Sequence, residues 1–117
     1  MSDKPVKPKR PQQVYTLLVE VGRSADDGLP KGATGAGLLC YASGVDEAEA
    51  VRETVAILKQ ADLAPLDVTG YGTIEEREKQ GHEIEVEERE FMQRALDENS
   101  VIVEQMTPFF GDDKGSA

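Results

Sequence analysis

Side chains able to do covalent or metal chemistry are few in this chain and widely spaced. Cys40 is the sole thiol and His82 the sole imidazole. A reactive thiolate needs a nearby cation or a helix N-terminus, whereas Cys40 lies between Leu39 and Tyr41, a setting that raises a thiol pKa and leaves it inert. There is no C-x-x-C pair, and His82 has only Glu85 at metal-ligand spacing, so neither zinc nor another metal is expected. Ser43 lacks the preceding glycine of a G-x-S-x-G elbow. The junction at Ser43 and Gly44 could offer free amides to an anion, but Asp46, Glu47 and Glu49 would oppose one there. GATGAG, residues 32–37, has neither the spacing of a dinucleotide fingerprint nor that of a phosphate loop, and it runs into the apolar LLCYA rather than a helix. It reads as a mobile hairpin connection, and no cofactor is expected.

Charge is the strongest compositional feature. The 117 residues carry a formal net charge of -10. Lys4, Lys7, Lys9 and Arg10 against Asp3 give the first 13 residues +3, which leaves -13 on the rest. A body so acidic repels a phosphate backbone, so direct nucleic-acid binding by the domain is disfavoured. The acidic surface centres on residues 75–90, with Glu75, Glu76, Glu78, Glu83, Glu85, Glu87, Glu88 and Glu90. Such a run predicts a solvated helical face with pairs such as Glu75 to Lys79 and Glu85 to Arg89. It lacks the framework of a calcium loop. Its functional alternative is an acidic docking surface or a weak divalent-cation site, and for the protein as a whole a further expectation is an acidic decoy that occupies a basic, nucleic-acid-binding partner.

The elements that must carry these residues follow from periodicity. Residues 1–13 form a basic Pro/Lys-rich tail and 111–117 a polar tail, both expected to be flexible, around a single domain at 14–110. VYTLLVEV (14–21) and GLLCYAS (37–43) read as strands joined by a long, flexible connection. Asp46 caps a helix over 46–62, and LDVTGYGT (66–73) reads as a third strand. Thr73 and Glu76 have capping-box spacing for a short helical turn at 74, a second long helix spans about 85–98, and VIVEQMTPFF (101–110) is the last strand. The order β-β-α-β-α-β predicts an α+β domain, a four-stranded mixed sheet with two helices packed on one face, ferredoxin-like in the broad sense.

That arrangement has a functional consequence. If Leu38, Cys40, Ala42, Leu66, Val68, Val101 and Val103 face the helices, alternation sends Leu39, Tyr41, Thr69, Tyr71, Ile102 and Met106 to the opposite face. A face so apolar requires a cover, either a partner or the chain's own twist and PFF segment. The expected role is a non-enzymatic binding module acting by protein association, as a homodimer or with another protein, through that face. The competing expectation is a small enzyme with a pocket there for a small-molecule ligand, Tyr41 or Tyr71 serving as acid and His82, Glu104 or Asp67 as base. An unpaired cysteine, and the lack of any apolar run of membrane length, predict a cytoplasmic protein without disulfides or membrane attachment.

Overall fold

A computed structural model describes residues 11–110; the expectations for the two tails fall on residues 1–10 and 111–117, outside the described part. The chain forms β1 (Gln13–Gly22), β2 (Ala33–Gly44), α1 (Glu47–Gln60), β3 (Ala64–Gly72), α2 (Ile74–Lys79), α3 (Val86–Glu98) and β4 (Val101–Phe110). The fold is α+β, as the element order predicts. The four strands make one sheet in the order β3-β1-β2-β4. All three pairings are antiparallel, so the sheet is not mixed.

Local chemistry sets the helix starts. The Asp46 carboxylate accepts from the Glu49 amide at 2.9 Å, and Glu49 reaches back to accept from the Val45 amide at 2.8 Å, which satisfies donors that the first turn leaves free. Thr73 and Glu76 form a reciprocal capping box at the start of α2. At the other end of α3, Asn99 takes the left-handed conformation and the Ser100 amide returns to the Ala95 carbonyl, turning the chain into β4.

The expectation of two helices on one face is corrected. Helix α1 covers Leu17, Val19, Val21, Leu38, Cys40 and Ala42 through Ala50 and Leu58. Helix α3 lies on the other side, where Met92 and Ala95 pack with Val14 and Tyr41. The reason is visible in the central strands: Val14, Tyr15, Thr16 and Leu17 are buried in succession, as are Cys40 through Gly44. Strands buried on both sides read as continuous runs, and a cover on one side could not bury consecutive side chains that point in opposite directions.

The connection between β1 and β2 also differs from expectation. Strand β2 begins at Ala33, so most of GATGAG is strand. At Gly35 an added Cβ would collide with the carbonyl oxygen of Val21, which explains a glycine in mid-strand. The preceding loop is organised around Asp27. Its carboxylate accepts from Arg23 Nε at 2.9 Å and from the amides of Ser24 and Leu29 at 2.8 and 3.0 Å, while Arg23 also donates to the Ala33 carbonyl at 2.6 Å.

Candidate functional site

The face that α3 occupies is built from the even positions of β1 and the odd positions of β2, paired as Thr16 with Tyr41, Leu18 with Leu39 and Glu20 with Gly37. Helix α3 crosses only one end of it, over Val14, Thr16, Tyr41 and Ile102. Past that end the face is open. Leu18, Gly37, Thr69, Thr107 and Phe109 line a groove of about 460 Å3, with Glu20 and Asp67 also on its wall. Gly37 makes the depression, since a Cβ there would stand 3.2 Å from the Phe109 ring and 4.0 Å from a Leu18 methyl. Leu18 is 39% exposed, at the middle of a central strand.

Under α3 the chemistry is dense but internally consumed. The Tyr41 hydroxyl donates to Glu88 Oε2 at 2.9 Å and is also shared with Glu104 Oε1. Arg77 donates to the same Glu88 oxygen at 2.6 Å, to Thr16 Oγ1 at 3.1 Å and, through Nε, to His82 Nδ1 at 3.1 Å. Thr16 in turn donates to the Met92 sulfur at 3.9 Å. Burial, followed by the hydrogen bonds to Glu104 and Glu88, pushes the Tyr41 phenol well above its ordinary pKa. The phenol therefore holds its proton strongly, and the network ties α2, α3 and β4 to the sheet. Phe91 stacks on Tyr41 with ring centroids 6.4 Å apart, closing it off further.

The six residues expected on one open face separate. Tyr41 is 0% exposed beneath α3, and Ile102 and Leu39 are half-buried against the same cluster. Tyr71 is half-buried, its ring 6.1 Å from that of His82. Thr69 alone of the six lines the open groove. Met106 lies on the α1 side of the sheet, opposite to the expectation. A bulge inserts Glu104 between the pairs Val103 with Cys40 and Gln105 with Leu39, so every side chain beyond it changes face and Met106 pairs with Leu38. The same effect at Leu66, bulged between Pro65 and Asp67, leaves it 66% exposed rather than under a helix.

The acidic residues do not form one ridge. Glu76 caps α2, Glu78 pairs with Arg89, and Glu88 turns inward to Arg77. Glu87 and Glu90, with Phe91, Arg94 and Glu104, line a second groove of about 540 Å3 between α3 and β4. Neither of the expected ion pairs of Glu75 and Glu85 is present among the described residues; Arg89 takes Glu78 instead. Cys40 is buried in the α1 core, and burial pushes its thiol up to about 12. Among the described residues no three His, Cys, Asp or Glu side chains gather as a metal site would require, and no helix is long and apolar enough to cross a membrane.

Reading by type and alternation missed Leu18, Gly37, Thr107 and Phe109. One signal was available: Leu17 and Leu18 are adjacent apolar residues in a strand, and both faces of β1 must then be apolar at that point. The chain belongs to the family described as Domain of unknown function (DUF8846), which matches residues 14–110. No curated protein and no solved structure matches it.

Proposed function

We propose that this domain is a non-enzymatic binding module that associates with another protein, or with a second copy of itself, through the groove that α3 leaves open. One observation carries the reading: a leucine and a phenylalanine flank a glycine depression in the outer face of the central strands. Apolar area of that kind contributes about 25 cal/mol per Å2 when removed from water, and a concave face positions it for a side chain from a partner. A chain with a single cysteine, here buried in the core, makes no use of disulfides and fits the cytoplasm. Catalysis is the weaker reading because Tyr41 is fully buried with its hydroxyl bonded to Glu88 and Glu104, and His82 is bonded through Nδ1 to Arg77, so the candidate acid and base are engaged within the fold.

Selection of binders from a displayed peptide library, with sedimentation of the free protein over a range of concentrations, tests the proposal. Association that disappears in Leu18→Glu, while the melting temperature is kept, supports it. A wild type that stays monomeric and selects no peptide overturns it.

A further inference from the structure

We infer that the open groove takes a basic partner: a peptide segment of another protein that sets an apolar side chain over Gly37 and places a lysine or arginine beside Glu20 and Asp67. The inference rests on the binding reading above and adds the chemistry of the occupant. Glu20 on β1 and Asp67 on β3 are direct cross-strand partners. Side chains so placed have Cβ atoms about 5 Å apart, and like charges in that position destabilise a sheet. Both belong to the wall of the groove, and among the described residues no side-chain hydrogen bond or ion pair engages either one. Where an arginine lies near, carboxylates of this chain take it: Asp27 with Arg23, Glu88 with Arg77, Glu78 with Arg89 and Glu98 with Arg94. Two facing carboxylates without a cation, at the rim of an apolar depression, form a complement to a side chain that is apolar along its stem and positive at its tip, as lysine and arginine are.

The same charges argue against a second copy as the occupant. A two-fold contact through this groove would bring two Glu20/Asp67 pairs toward each other on bodies that each carry a large negative charge. A partner with the opposite sign gains where a second copy loses.

The test uses the full chain and a short fluorescent peptide alternating leucine and lysine, with counterparts in which serine or glutamate replaces lysine. The lysine peptide is expected to bind, to weaken about tenfold against Glu20→Gln with Asp67→Asn, and to weaken as salt is raised through the range where the Debye length falls below about 10 Å. Gly37→Leu fills the depression and should abolish binding. Its added Cβ meets only the far ends of the Phe109 and Leu18 side chains. Should that variant fail to fold by circular dichroism, Leu18→Ser takes its place. Serine and lysine peptides that bind equally well would overturn the cationic preference and leave the groove reading standing. Lysine-peptide binding that survives Gly37→Leu and Leu18→Ser would place the peptide on another acidic surface and overturn the inference, as would binding by none of the three peptides.

Discussion

The two faces of the sheet use the same strands to different ends. On the α1 side, Leu17, Val19, Val21, Leu38 and Cys40 meet Ala50 and Leu58 in an apolar core, and the buried Thr54 hydroxyl donates to the Ala50 carbonyl of its own helix at 2.8 Å. On the α3 side, one end is held by a polar network around Arg77 and Tyr41, and the other end is left as a groove. A face whose central strands are fully covered contributes chiefly to folding, although Val103 and Met106 on its β4 edge stay 41% and 42% exposed. A face that is only partly covered keeps apolar area in reserve for binding, and spends polar groups on holding its one helix in register.

The sharpest way to break this contrast is to shorten neighbouring leucines on opposite faces. Leu17 is fully buried and Leu18 is not. Leu17→Ala should cost about 3 kcal/mol of unfolding free energy, and Leu18→Ala less than about 1 kcal/mol, as read from urea denaturation. Equal losses would show that the groove face is as much a part of the core as the other.

Next in size is the Arg77–Glu88 pair, whose side chains are only 11% and 14% exposed. Arg77→Met leaves the Glu88 charge with only the Tyr41 hydroxyl and removes the donor to Thr16, and should destabilise by about 3 kcal/mol, whereas Arg77→Met with Glu88→Gln should recover part of the loss. A double variant no better than the single one would mean that Arg77 acts by packing over β1 rather than by charge.

The smallest effect lies away from both faces, at the loop between β1 and β2. The Ser24 amide, then Arg23 and the Leu29 amide, hold the Asp27 carboxyl down to about 2 from an ordinary 3.8. A carboxyl with a lowered folded pKa contributes stability above its unfolded value and loses it as pH falls through the folded one. Acid titration of the wild type should therefore show a loss between about pH 4 and pH 2 that Asp27→Asn lacks. Identical acid limbs would remove Asp27 as the organiser of this loop.

Much of the architecture is legible in the chain. Alternating apolar residues mark the strands, Asp46 with Glu49 and Thr73 with Glu76 mark two helix starts, and β4 spans 101–110 as its composition predicts. These signals are local: a cap or a strand period involves residues within a few positions of one another. The candidate site is less legible. Its residues come from all four strands, and their grouping depends on two registers and on where α3 ends.

The sequence by itself determined the class of the fold, the order of its elements, the acidity of the chain and the apolar setting of Cys40, because each depends on residue type or short-range spacing. Only the tertiary structure decided which face each helix takes, that Tyr41 is buried while Leu18 is open, and that Met106 changes sides. The physical reason is parity. Strand side chains alternate with a period of two, so the single residue inserted at Glu104 reverses every later assignment on β4, and nothing in the local sequence marks where a partner strand will force that insertion.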